Sequence, residues 1–441
     1  MRQIILLLFV LISGVAMGEV QQYQLDNGMK VFVKPDHRAP VAVVMVWYDV
    51  GSADELQGKT GLAHALEHMM FKGTKTYPPG YFSKTLAGIG GQENAFTNTD
   101  YTAYFAKIAA AKLPVVLKLE AERMRDLIID KKEFAQEIKV IQEERRMRTD
   151  DNPQGILYER FMAAAHLAAP YQHPVIGWMS DLQQMKPEEL EQWYQQYYAP
   201  NNASLVVVGD VEPKKVFALA KQYFGHLKSR ALEPRKKFPE PPAIGKKSIK
   251  VKAPAKLPLL MLGYTVPSLT NAEQSWHPYA LELLAGVLSG GESARFAKNL
   301  VRGKESASSV EAYYNPFSRY TSQFIIFATP SRKDGLDAME SDIEAQIKIV
   351  QTSKVKPEEL ERVKKQIIAQ KVFEKDSVFG QAMEIGLLET VGLSWKVGEN
   401  FAKKLQDISA EQVQEVAKLY LRPDNLTRAE LIPLPQSGSA Q

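Results

Sequence analysis

Residues 61–68 read Gly61-Leu62-Ala63-His64-Ala65-Leu66-Glu67-His68, two histidines four residues apart with a glutamate directly before the second. On an α-helix the histidines stand about 40° apart around the axis, one turn from each other, so both imidazoles can reach one metal ion. Glu67 follows His64 by three residues on the same side of the helix. There it can face an open coordination position without being a ligand. A catalytic zinc needs such a position to hold water, and a nearby carboxylate can take the proton as that water attacks a carbonyl. The order His-x-x-Glu-His reverses the more familiar His-Glu-x-x-His. Thr60 is expected to cap a helix over 60–71, its hydroxyl accepting a free backbone N–H.

Two histidines need a third donor. The spacing predicts a helix over 132–148 that offers Glu133, Glu137, Glu143 and Glu144. Glu137, Ile141 and Glu144 share a stripe with Phe134 and Ile138, the partly buried side. Lys132, Gln136, Lys139 and Glu143 form the opposing polar stripe, which places Glu143 in solvent. Glu137 and Glu144 lie about 10 Å apart along the axis, too far to bind one ion together. One is expected to be the ligand and the other to orient a ligand or the water.

The chain around this motif has 441 residues, room for two or three domains. Hydrophobic residues make up 45% and charged residues 24%, a balance that excludes wholesale disorder. A formal charge of +4 is too small at this length to make nucleic acid or an anionic surface the main partner. There is no cysteine, so no disulfide or cysteine-linked lipid holds the chain, and its stability must come from a large core. Arg2, the apolar run 4–12 and the small residues Ser13, Gly14, Ala16 and Gly18 have the layout of a signal peptide over 1–18. No other segment approaches the length of a membrane span, so no stable span is expected after cleavage. The mature chain would carry +4 − 1 = +3, because Arg2 is the only charge removed.

Residues 229–247 (SRALEPRKKFPEPPAIGKK) are rich in Pro and charge and are expected to be a linker. The segments on either side look related. Residues 181–202 (DLQQMKPEELEQWYQQYYAPNN) align without a gap with 404–425 (KLQDISAEQVQEVAKLYLRPDN), an offset of 404 − 181 = 223. Each reads as an amphipathic helix, a Pro-Asn turn and an apolar strand, the signature of a duplication. Asp26-Asn27-Gly28 signals a tight turn between short strands, 41–50 is strongly β-prone, and further helices are expected at 80–86, 110–128 and 187–197. This interleaving predicts an α+β chain of two homologous domains, 19–228 and 248–433, each a largely antiparallel sheet packed with helices, followed by a tail at 434–441.

Other features have plainer readings. His37, His166, His173, His226 and His277 lack a carboxylate at metal spacing and are read as structural or surface residues. Trp193, Tyr194, Tyr197 and Tyr198 follow helical spacing and belong to a core. Gly290-Gly291 lacks the rest of a phosphate motif, so it does not indicate a nucleotide site. The lysine-rich helix over 357–372 is read as a solvated face.

Several motifs in order resemble one family. They are 26–28 (DNG), 61–74 (GLAHALEHMMFKGT), 90–105 (GGQENAFTNTDYTAYF), 137–148 (EIKVIQEERRMR) and 173–178 (HPVIGW). The resemblance is to the pitrilysin/insulinase-type zinc peptidases, the inverzincins, and within them to bacterial members of the mitochondrial-processing-peptidase-like branch. It implies a LuxS/processing-peptidase-like fold, one Zn2+ per chain held by His64, His68 and Glu144, Glu67 as general base and Glu137 as the supporting carboxylate. It also implies that Asn94, Ala95, Phe96 and Thr97 form an edge strand that receives an extended substrate by backbone pairing. Peptides or unfolded protein segments are the implied substrates, and the periplasm of a Gram-negative bacterium is the implied location. In the family two such units enclose a chamber, and an arginine and a tyrosine from a C-terminal domain hold substrate near the zinc. Here the usual L-R-E-K-R-G-L-A-Y-S-V segment reads LVRGKESASSV at 300–310, with Val301 at the arginine position and Ser308 at the tyrosine position. Arg302 is one place off, and Tyr313 and Tyr314 are out of register. The expectation is therefore a zinc-bearing subunit whose Arg/Tyr pair comes from a related second chain. The competing expectation is a scaffold that kept the fold for assembly.

Overall fold

The structure, a computed structural model, describes residues 18–331 and 335–434. The apolar leader and nearly all of the tail lie outside the described residues. The N-terminal half builds a six-stranded sheet from β1 (Gln21–Gln24), β2 (Lys30–Pro35), β3 (Val41–Tyr48), β4 (Gln92–Thr97), β5 (Thr102–Ala109) and β6 (Ala203–Gly209), in the order β1-β2-β6-β3-β5-β4. The turn at 26–28 joins β1 to β2 as a hairpin, and only β2 and β6 run parallel. Its helices are α1 (Leu62–Met69), α2 (Tyr81–Gly88), α3 (Leu113–Asp126), α4 (Lys131–Arg145), α5 (Pro153–Ala165), α6 (Met179–Gln184), α7 (Pro187–Tyr197) and α8 (Pro213–Phe224).

The C-terminal half repeats the plan. Strands β7 (Lys247–Pro254), β8 (Leu259–Val266), β9 (Ala307–Tyr314), β10 (Ser322–Pro330) and β11 (Leu426–Leu434) lie in the order β7-β11-β8-β10-β9. That is β2-β6-β3-β5-β4 over again, down to the one parallel pair, β7 with β11. Its helices are α9 (His277–Ser289), α10 (Leu336–Thr352), α11 (Pro357–Asp376), α12 (Val378–Thr390), α13 (Lys396–Gln406) and α14 (Ala410–Tyr420). The repeat seen in the sequence falls on α7, the turn Pro200–Asn202 and β6, matched by α14, the turn Pro423–Asn425 and β11 at the same offset.

Strands β3 and β6 are buried along almost their whole length, not on alternate residues. Both faces of the sheet are covered, and a strand covered twice needs a continuous apolar run such as VAVVMVWY. The second cover is borrowed. Helix α12 of the C-terminal half lays Ala382 and Ile385 on Phe32, Val43, Met45, Trp47, Val206 and Val208. In return α5 of the N-terminal half lays Leu157, Phe161 and Ala165 on Met261, Ile325, Ala429 and Leu431. Asn152 and Ser377 cap these helices with their side chains, so the two are equivalent at an offset of 377 − 152 = 225. The closest approaches are reciprocal. A Cβ on Gly386 of α12 would lie 2.1 Å from the Trp47 ring of β3, and a Cβ on Gly263 of β8 would lie 2.1 Å from the Phe161 ring of α5.

Two polar ties reinforce the exchange. Arg319, between β9 and β10, reaches into the N-terminal half: its guanidinium bonds both oxygens of Asp54 and the Asp100 carbonyl, and its N–H donates to Asp100 Oδ2 at 3.0 Å. Residues 228–246 carry neither helix nor strand, yet they are held. Glu240 accepts the N–H groups of Leu167, Ala168 and Ala169 at 3.0, 3.1 and 2.7 Å. Burial pushes the Glu240 pKa up, but the nearby His166 ring, 3.6 Å away, and the bonds from these three amides outweigh it and bring it to about 2. A pKa depressed on folding gives stability that is present above the unfolded value of about 4.3 and is lost as pH falls toward 2. Glu240→Gln should therefore flatten the acid limb of a urea-midpoint profile between about pH 4 and 2. An acid limb identical to that of the parent would remove this role.

Candidate metal centre

Helix α1 buries Leu62, Ala63, Ala65, Leu66 and Met69 in the N-terminal core, which leaves His64, Glu67 and His68 on the face opposed by α4. Its start differs from expectation. Gly61, with φ +90, takes the N-cap place, and Thr60 does not cap. The Thr60 hydroxyl donates to Asp181 Oδ2 at 2.7 Å and accepts the Trp178 N–H at 2.8 Å. Glu55 takes the free helix amides, accepting from Gly61 and Ala63 at 2.8 Å each. Gly61 is required because its φ is left-handed and a Cβ there would lie 2.7 Å from the Ile176 carbonyl; Gly177, also left-handed, meets it so closely that a Cβ on Gly177 would lie 2.6 Å from the Thr60 carbonyl.

Helix α4, capped by Asp130, presents Glu137 and Glu144 to α1. It stops at Arg145 and passes into a π-helical turn over Arg146–Asp150, short of the expected 148. Buried Arg145 fixes that end, donating to Glu159 Oε2 at 2.7 Å and to the Gly177 carbonyl at 2.8 Å. Glu143 is exposed, as its stripe required.

His64, His68 and Glu144 each offer one ligand atom, all within 4.8 Å of one another, and they are the group of this kind found among the described residues. Glu144 Oε2 lies 3.4 Å from His68 Nε2 and 3.8 Å from His64 Nε2. Donors about 2.0–2.1 Å from a tetrahedral zinc stand roughly 3.4 Å apart, so the set fits Zn2+. Burial, then the charges of His68 and Arg148, lower the His64 pKa to about 3, which keeps the ring neutral as a metal ligand must be. Glu137 Oε1 lies 2.9 Å from His68 Nδ1. The proton assigned to that nitrogen leaves Nε2 as the donor. Arg148 Nη1 lies 2.7 Å from Glu144 Oε1, and Lys72 Nζ 2.5 Å from Glu137 Oε2.

Glu67 is half-buried on the same face. Burial raises its pKa, the Thr97 hydroxyl and His68 pull it back, and Glu144 raises it further. The Thr97 hydroxyl donates directly to Glu67 Oε2. Thr97 closes β4, the outermost strand of its sheet, paired only with β5. The four residues 94–97 thus lie on an edge strand beside α1, with Asn94 exposed and the Phe96 ring edge-to-face with Trp47, centroids 5.4 Å apart. Thr97 has a second engagement that periodicity does not reveal, since alternation tells which side a residue faces and not what it meets there.

The segment at 300–310 brings no arginine and tyrosine into the family register. Arg302 is engaged by the side chain and carbonyl of Glu292, and Ser308 donates to the Thr329 carbonyl at 3.1 Å. Tyr314 is buried and bonded to the Pro267 carbonyl at 2.6 Å, while Tyr313 is exposed. The other five histidines stay outside the metal-capable group. Trp193, Tyr194 and Tyr198 are core residues. Lys72, Arg148 and Glu55 are the site residues that sequence reading passed over. Lys72 had a signal, because it extends the four-residue spacing of His64 and His68; Glu55 had none, because its contact depends on a loop.

Residues 30–177 match the family model described as insulinase (peptidase family M16), and residues 184–367 match the model described as the peptidase M16 inactive domain. The chain is 36% identical over 345 residues to zinc protease PqqE of Helicobacter pylori, covering 77% of this chain and 76% of that one. The crystal structure of a protease from Helicobacter pylori superposes with a TM-score of 0.88 at 31% identity, over 94% of this chain and 100% of that chain. The periplasmic protease PqqL from Escherichia coli shares the fold at a TM-score of 0.80 and 20% identity, with this chain spanning 94% of its own length but 48% of PqqL.

Proposed function

Because the chain belongs to the insulinase family of peptidases, M16, we propose that it is a zinc-dependent endopeptidase that cleaves peptides or unfolded polypeptide segments. The observation that carries this reading is the convergence of His64, His68 and Glu144 on one point beside Glu67. Zinc, when bound, supplies the Lewis acidity that acidifies a water and polarises a carbonyl. His64, His68 and Glu144 would hold it, with Glu137 fixing the His68 ring. Glu67 takes the proton from the attacking water and returns it to the leaving amine, a role helped by a pKa already raised by burial. Thr97 keeps the Glu67 carboxylate aimed while it does so. The free edge of β4 at Asn94, Ala95, Phe96 and Thr97 pairs with the extended substrate.

The substrate clamp is the missing part. Since Val301 and Ser308 stand where the family has arginine and tyrosine, the clamp comes from a related second chain, and export places both outside the cytoplasm. The length of PqqL, about twice this chain, supports a two-unit assembly. Metal content and cleavage of an unstructured reporter peptide test the reading, with and without a paralogue that carries the Arg/Tyr pair. One zinc per chain and chelator-sensitive cleavage, weak alone and raised by the paralogue, is the expected result. A zinc-free chain inactive under both conditions points instead to a scaffold. Full activity of the chain as a homodimer removes the heterodimer.

A further inference from the structure

His64, His68 and Lys72 stand at successive intervals of four residues, so the stripe that presents the two imidazoles ends on an ammonium. Helical bonding continues past Met69, with the Lys72 N–H donating to the Met69 carbonyl at 2.9 Å, which keeps Lys72 on the ligand face. Its Nζ lies 2.5 Å from Glu137 Oε2, while Glu137 Oε1 lies 2.9 Å from His68 Nδ1. Each oxygen of Glu137 therefore has one donor, and the carboxylate cannot turn about its own axis without losing one of them. Glu137 is only 12% exposed and Lys72 29%, so water screens this pair less than a surface pair.

We propose that Lys72 is a positioning residue of the metal site: it locks Glu137, and Glu137 then locks the His68 ring with Nε2 toward the metal. The proposal rests on the zinc reading above. Its physical content lies in a sign. By charge alone, an ammonium close to a dication weakens binding of that dication. Acting through Glu137, the same ammonium strengthens it, because the carboxylate stays on His68 and does not swing away or compete for the ion. Three carboxylates converge here, Glu67, Glu137 and Glu144, and only the correct one should reach the metal.

The test is the Zn2+ dissociation constant of the full chain, measured by competition with a chromogenic chelator. Lys72→Met should weaken Zn2+ binding about 10- to 100-fold, the usual cost of removing a partner that orients a ligand. In a Glu137→Gln background Lys72→Met should have no further effect, since its route to the metal is already cut. Lys131→Met, which removes an exposed lysine paired with Glu188, controls for charge and should leave the constant unchanged. Lys72→Gln replaces Lys72→Met if the apolar side chain misfolds. Equal or tighter binding by the Lys72 variants overturns the proposal, and so does an undiminished loss in the Glu137→Gln background. A parent chain that takes up no Zn2+ overturns the zinc reading itself, and this proposal with it.

Discussion

Glu67→Gln should leave zinc in place and lower kcat for peptide cleavage by about 100- to 10,000-fold, the range expected for loss of a general base. Glutamine matches glutamate in shape, and its carbonyl can still accept the Thr97 hydroxyl that holds Glu67 Oε2. The helix should be undisturbed, because Glu67 lies on the half-buried face of α1 toward α4 and β4 and the core contacts are made by Leu62, Ala63, Ala65, Leu66 and Met69. What disappears is the ability to take a proton. KM should change little, since in the proposed reading the substrate is held by strand pairing along β4 and by the second chain's clamp, neither of which involves Glu67. Cleavage kinetics and metal content on the same preparation decide the matter. If the variant keeps more than about a tenth of the parent's kcat, Glu67 is not the base.

Gly386→Phe should destabilise the chain by about 3 kcal/mol or more, the severe end of core overpacking. A Cβ on Gly386 already falls 2.1 Å from the Trp47 ring, and Trp47 is fully buried and has no free space to move into. The molecule itself contains the compensating change. Strand registry makes Trp47, opposite Ser204, the counterpart of Gly263, opposite Thr427. Helix numbering makes Phe161 the counterpart of Gly386, nine residues past each cap. One interface thus sets a large ring on the strand against a glycine on the helix, and the other reverses them. Gly386→Phe combined with Trp47→Gly copies the second arrangement into the first and should recover most of the lost stability. Thermal unfolding of both singles and the double measures this as a cycle. Additive losses would show that the contact is not the reciprocal pair described.

Much of the candidate metal centre was legible from spacing. A helix fixes the angle between residues four apart, so spacing alone sets His64, Glu67 and His68 on one face, and Glu137 and Glu144 on the facing stripe. The duplication was legible too, because helix, Pro-Asn turn and strand recur at one offset. What stayed hidden depends on which surface a buried face meets. Leu157, Phe161 and Ala165 mark an apolar stripe on α5, but nothing in their spacing says that it lies on the other half's sheet. Thr60 looked like a cap because hydroxyls favour that place. A distant acid, Glu55, occupied it instead, and the hydroxyl was drawn to Asp181 and Trp178.

The exchange of α5 and α12 bears on how the chain is assembled. Each half lends the other a wall of its core, so neither sheet is fully covered until both have formed. A single ancestral copy with this plan would have reached the same arrangement only by pairing with its twin, and its folding would have slowed with dilution. Joining the copies through residues 228–246 turns that encounter into an event within one molecule, at a local concentration set by the tether.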